Sequence, residues 1–367
     1  MSRINPKLKK AAEITVNEVL KVKKGERMLI VTNPVDEIDN ITFAVFRAAR
    51  EAGAQVMFLY QDVKKHGDYI EPHVLAALKI EPDVYFQAVA DSRGKDPQID
   101  EGGYNYKGKS IDDILYYLFE KKVARGCWCN GVFAKDFSRL VCIDYKDLGK
   151  NIRKLNKKLE KACEVIVKTD KGSDFVVSIR KRKPVFCDDG NFYRKGDYGN
   201  LPCGEVFVSP DLDGVNGRIA VDVSMTQRKG VRLESPVFLK IKDNRITKIS
   251  GGRGAKMLRE DIARAKKRVN ANMKSGKLNK KLGEIYLENI MAIGELGIGL
   301  NPKARLHVSA LEDEKVINTV HVAIGCDYDG KQPAPIHFDC IISKPEVTFI
   351  YPNGRVEKIL ESGKLYL

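Results

Sequence analysis

Between residues 27 and 90 the chain alternates short apolar runs with amphipathic helical stretches, and few folds admit that alternation. RMLIVTN (27–33), AQVMFLY (54–60) and DVYFQAVA (83–90) read as buried strands. A helix from about Asp36 keeps Ile38, Ile41, Val45 and Ala49 on one face, and Gly53 ends it. A further helix is expected around residues 72–80. Upstream, Asn5 can cap a helix with Pro6 at its first position and Leu8, Ala12, Val16, Val19 and Leu20 as its apolar stripe. Parallel strands need long crossovers, which helices supply, so residues 1–155 are expected to form an α/β domain with a parallel sheet. No G-x-G-x-x-G or P-loop follows any of these strands, so nothing local points to nucleotide binding.

After a basic helix over roughly 147–162 the texture changes. EVIVKTDKGSDFVVSIRKR is a hairpin candidate turning at Asp170–Gly172. GRIAVDVSM, SPVFLKIKDNRITKIS and the terminal VTFIYPNGRVEKILESGKLYL are further strand runs, interrupted by one helix at about 255–273. We place the boundary near 150–163 and expect an α+β, strand-rich metal-binding domain over 156–367.

Hydrophobic content of 43% with 31% charged residues is that of a globular chain, not a disordered one. No run of 18 apolar residues is present, and the N-terminus lacks the apolar run of a secretory signal, so a cytoplasmic protein is expected. The eight cysteines are scattered, only Cys127 and Cys129 being close, and they read as reduced, mostly buried thiols. Cys340 is kept as a pocket-lining candidate because it adjoins Asp339. The net charge of +15 arises from 64 basic residues spread among 49 acids; the densest runs are KLNKKLEK, RKRK (180–183) and ARAKKRV, the first and last on expected helices, and they read as solvated. That distribution argues against a nucleic-acid partner and fits the exposed ion pairs of a thermophile.

Chemistry concentrates late in the chain. Of five histidines, three fall between 307 and 337. In VINTVHVAIG the even positions Val316, Val320, Val322 and Ile324 form an apolar face, leaving His321 among Thr319, Ala323 and Gly325. In PIHFDCIIS, Ile336, Phe338, Cys340 and Ile342 face the core while His337 and Asp339 share the other face, roughly 7 Å apart from the rise of a strand. If the two strands are neighbours, His321 joins them as a third ligand. Two histidines and one carboxylate suit non-haem iron; additional carboxylates suit paired zinc, cobalt or manganese. Glu205, in GNLPCGEVFVSP, and Glu295, in IGELGIGLNP, are single acids in apolar, glycine-rich surroundings, costly to bury without a partner or a cation.

NLPCGEVFVSP (200–210), GELGIGLNP (294–302), LEDEKVINTVHVAIG (311–325), Tyr328 and the H-F-D of 337–339 together resemble the M29 family of metallo-aminopeptidases, the thermophilic aminopeptidase T type, leucyl aminopeptidase-like. The resemblance runs over the second domain; the first agrees as an α/β unit of suitable size. It implies two divalent metal ions, zinc or cobalt with manganese compatible, held by Glu205, Glu295, His321, His337 and Asp339. It also implies hydrolysis of the first peptide bond of a peptide substrate by a metal-activated water, with Tyr328 as either a weak metal ligand or a donor to the developing oxyanion. One of Glu205 and Glu295 would bridge the metals and the other pass a proton to the leaving amine. A homodimer is implied as well. Gly204 stands where many relatives have a glutamate before Glu205, and Cys203 where threonine is usual. Glu314 and Lys315 are candidates to support the ligands, and His307 has no family counterpart.

Two alternatives belong to other classes. Ring-cleaving dioxygenases acting on dihydroxypyridines resemble the same family and would use His321, His337 and Asp339 around one iron, leaving Glu205 and Glu295 without a role. A non-enzymatic basic binding protein would have no use for the five-ligand set.

Overall fold

The computed structural model describes residues 5–65, 67–182, 185–225, 231–307 and 309–367, except the side chains of Asp100, Glu101 and Val231. Contacts divide the chain into two compact units: Met1–Tyr145 with Asp188–Cys203, and Lys146–Cys187 with Gly204–Leu367. The division thus differs from a single cut at 155/156. Tyr198–Asn200 returns to the first unit as a strand beside Arg125–Asn130, while the helix Tyr145–Leu159 lies almost wholly in the second.

The first unit is the expected parallel sheet. Its order from one edge is Gln55–Tyr60, Arg27–Thr32, Val84–Val89, Arg125–Asn130 and Tyr198–Asn200, all parallel. The first helix, Pro6–Ile14, starts where Asn5 accepts a hydrogen bond from the Lys7 amide. The next, Asp36–Glu51, buries Ile38, Ile41, Val45 and Ala49. Gly53, at φ +84°, then takes the left-handed turn that a side chain would resist. The strand through Cys127 and Cys129 was not anticipated, because C-W-C carries no alternating pattern; both thiols are buried in it.

The second unit holds two large sheets. The eight-stranded one is antiparallel and includes the expected hairpin Glu164–Lys168/Asp174–Ser178. It also includes Val237–Lys242/Arg245–Gly251, turned by Asp243 and Asn244 at φ 47° and 58°. Two helices, not one, follow: Arg253–Lys274 and Lys280–Asn289, the second capped by the Asn279 side chain.

The seven-stranded sheet has the order Val231–Arg232, Ser224–Met225, His337–Ser343, Thr319–Gly325, Ile293–Gly299, Glu205–Val208, Phe186–Asp188. Its two central strands, Ile293–Gly299 and Thr319–Gly325, are buried at every residue. Among the described residues no helix is long and apolar enough to cross a membrane.

A candidate metal centre on the seven-stranded sheet

Strand register alone assembles the site. His321 stands opposite Gly297 on one side and Ile341 on the other, and Phe207 opposite Gly297. Glu295 stands opposite Ala323, and Ala323 opposite Asp339; Glu205 pairs with Gly299 and His337 with Gly325. Residues in register share a face, so all five expected ligands project from one side of four successive strands. Between them lie Gly297, Gly299, Ala323 and Gly325, a floor of small residues. A Cβ on Gly297 would lie 2.1 Å from His321 Cε1, so the imidazole rests where only glycine permits. The expected adjacency of the two histidine strands is therefore met. Cys340 stands opposite Val322 in the other row and is fully buried. It faces away from the site and does not line it.

The donor atoms converge in two groups, Glu205–Glu295–His321 and Glu295–His337–Asp339, each within 4.8 Å, with Glu295 common to both. One Glu295 oxygen lies 3.0 Å from His321 Nε2 and the other 3.1 Å from His337 Nε2. His337 Nε2 is also 3.2 Å from Asp339, and His321 Nε2 is 3.7 Å from Glu205 Oε2. His337 Nδ1 is 3.0 Å from the Cys326 carbonyl, which fixes a tautomer that donates outward and leaves Nε2 for the site. Tyr328, on the loop after the His321 strand, brings its hydroxyl 3.4 Å from His337 Nε2.

Burial opposes the charges of His321, His337, Glu295 and Asp339 and is overcome. His321 is pushed up to about 9, by its hydrogen bond to Glu295 and by the charges of Glu295, Glu205 and Asp339. Glu295 and Asp339 are held below the usual carboxylate range by the imidazoles they face. Metal-free, the site thus recruits protons to balance its acids.

The residues fit divalent cations on their own evidence. Three buried carboxylates and two imidazoles converge, and Glu205 Oε2 is buried with no hydrogen-bond partner among the described residues. Such groups are costly unless something positive answers them. Lys315, fully buried, donates to Glu205 Oε1 at 2.5 Å and to Glu314 at 2.8 Å, so this pair is an internal support and not a surface ion pair. Burial pushes Glu314 up to about 8 despite the pull of Lys315. His307 is exposed and belongs to neither donor group.

Three features carried no sequence signal. Phe186 stacks on Phe207 with ring centres 5.1 Å apart, and Phe207 meets Tyr328 edge-on at 5.0 Å, extending the ligand row as an aromatic wall. The Cys326 carbonyl is a backbone group and invisible in a motif. Arg182 sat in a basic run that reads as solvated, yet it is 3% exposed.

Comparison with known proteins adds two observations. Residues 137–323, just over half of the chain, match the family model described as NicX: 2,5-dihydroxypyridine 5,6-dioxygenase. Two solved structures share the fold over nearly the whole chain. One is 2,5-dihydroxypyridine dioxygenase from Pseudomonas putida KT2440, with TM-score 0.69 and 17% identity, covering 98% of this chain and 96% of that one. The other is wild-type AmpT from Thermus thermophilus, with TM-score 0.69 and 17% identity, covering 98% and 99%. No protein among those of curated function matches the chain.

Proposed function

Although the chain belongs to the family described as NicX, 2,5-dihydroxypyridine 5,6-dioxygenase, we propose that it is a metal-dependent aminopeptidase of the M29 kind, a reading supported by its donor geometry and by the fold it shares with AmpT. The observation that carries this reading is Glu295, whose two oxygens face two different histidines and complete two separate donor groups. A carboxylate so placed is suited to bridge a pair of cations.

Glu205, Glu295 and His321 would hold one ion, and Glu295, His337 and Asp339 the other. Two divalent ions there, zinc or cobalt with manganese compatible, would supply Lewis-acid polarisation of a carbonyl and a water of lowered pKa. The chain's own groups do the rest. Lys315 orients Glu205 through one oxygen, leaving Oε2 directed at the site, where it would either hold the ion or carry a proton towards the leaving amine. The Tyr328 hydroxyl, beside His337, is positioned to donate to oxyanion charge developing on the scissile carbonyl. Peptide substrates and a homodimer, supported by the sequence resemblance, complete the proposal, together with a cytoplasmic setting.

One observation favours a second reading. His321, His337 and Asp339 suffice for a single non-haem iron, and the family's description names an oxygenase for a dihydroxypyridine. That reading leaves unused the place of Glu295 between the two histidines. One iron would also leave Glu205 buried without a role.

Protein stripped with a chelator and reloaded with Co²⁺ or Zn²⁺ should regain cleavage of aminoacyl chromogenic substrates. Ring cleavage of a dihydroxypyridine with Fe²⁺, and no peptide cleavage with any metal, would reject the peptidase reading.

A further inference from the structure

The loop that carries Tyr328 is held from both ends. Arg182 Nη2 donates to Asp327 Oδ2 and to Asp329 Oδ1, the residues on either side of the tyrosine. All three side chains are largely buried, at 3%, 1% and 11% exposure. The loop is closed further along by Gln332, whose amide donates to Asp327 at 2.7 Å. The Gln332 side chain donates to the carbonyls of Ile293 and Gly325, at the ends of the two central strands, at 3.1 and 2.7 Å. Between these anchors Tyr328 itself is 53% exposed and touches its surroundings through the rings of Phe186, Phe207 and His337. With half of the residue open, these ring contacts and the backbone anchors on either side together place it.

Arg182 is an expensive choice for stability alone. Its Nε and Nη1 are buried with no hydrogen-bond partner among the described residues, and its charge answers two carboxylates at once. A buried ion pair is weak evidence for stability, whereas the two N–H groups of a planar Nη2 point in fixed directions, as those of a rotating ammonium do not.

We propose that Arg182 is a positioning residue for Tyr328, clamping Asp327 and Asp329 so that the phenol hydroxyl is held beside His337. This deepens the peptidase reading and rests on it for the consequence to catalysis, though the clamp has a readout of its own. Arg182→Lys keeps the charge but puts a shorter, freely rotating ammonium in place of the planar Nη2 that makes both contacts. With 3-fluorotyrosine placed at position 328, the ¹⁹F resonance should be single and sharp in the parent and should broaden or split in Arg182→Lys, with metal or without. In turnover of an aminoacyl chromogenic substrate by the metal-loaded protein, Arg182→Lys should lower kcat about tenfold with KM little changed. The same change made in Tyr328→Phe should cost under about twofold, because the group being positioned is gone. An unchanged resonance, or equal losses in both backgrounds, would overturn the proposal. If Arg182→Lys does not fold, Asp329→Asn removes one arm of the clamp and is read in the same way. A parent protein that turns over no peptide while its resonance still responds would reject the peptidase reading and leave the clamp standing.

Discussion

At the residue scale the account turns on what each carboxylate is for. Glu205 completes only the donor group of His321, whereas Glu295 serves both. Glu205→Ala should therefore bind one ion fewer while Glu295→Ala loses tight binding of both, as equilibrium dialysis with elemental analysis would read. Tyr328→Phe removes a donor without touching a ligand, so kcat should fall about 100-fold with metal content unchanged. Protons and metal compete for His321. Its metal-free pKa of about 9 lies above the ordinary histidine value, so metal affinity should climb as pH rises towards about 9 and then level. The same shift fixes a sign for stability. A raised folded-state pKa gives metal-free protein a stabilisation fully present below about pH 6.5 and lost as pH rises through about 9. Thermal melts of chelated protein across that window should show Tm falling with pH, and a rising Tm would contradict the assignment.

At the element scale the informative strand is Ile293–Gly299. Glycines at 294, 297 and 299 hide it from any strand pattern, since glycine is disfavoured in strands. Those same residues let it serve as the floor of the site, where His321 lies across Gly297. Gly297→Ala should displace that imidazole, weakening metal binding about 10–100-fold, for a stability loss of about 1–3 kcal/mol. Titration calorimetry and melting would separate the two effects. The strands of His321 and of His337–Asp339 were legible because apolar residues occupy alternate positions, and alternation fixes which residues share a face. Their adjacency was a condition the sequence left open, and register supplied it. The Arg182 clamp and the aromatic wall were illegible for another reason: each joins segments over 100 positions apart or presents residues whose composition reads as ordinary surface or core.

At the scale of the whole molecule, the parallel sheet of the first unit followed from helix–strand alternation, while the return of Tyr198–Asn200 to it did not. A three-residue strand that rejoins a distant sheet leaves no local pattern. In the second unit, binding energy for metal is stability of the fold. Each ion at a hundredfold excess over its Kd should contribute about 2.7 kcal/mol, so chelation should lower Tm in two steps or in one large one. The central claim is that Glu295 joins two metal sites and not one. Metal analysis of saturated, desalted protein tests it most directly, run on the parent and on Glu205→Ala. Two divalent ions per chain in the parent and one in the variant are the expected result. One ion in both, with activity untouched by the loss of Glu205, would contradict it.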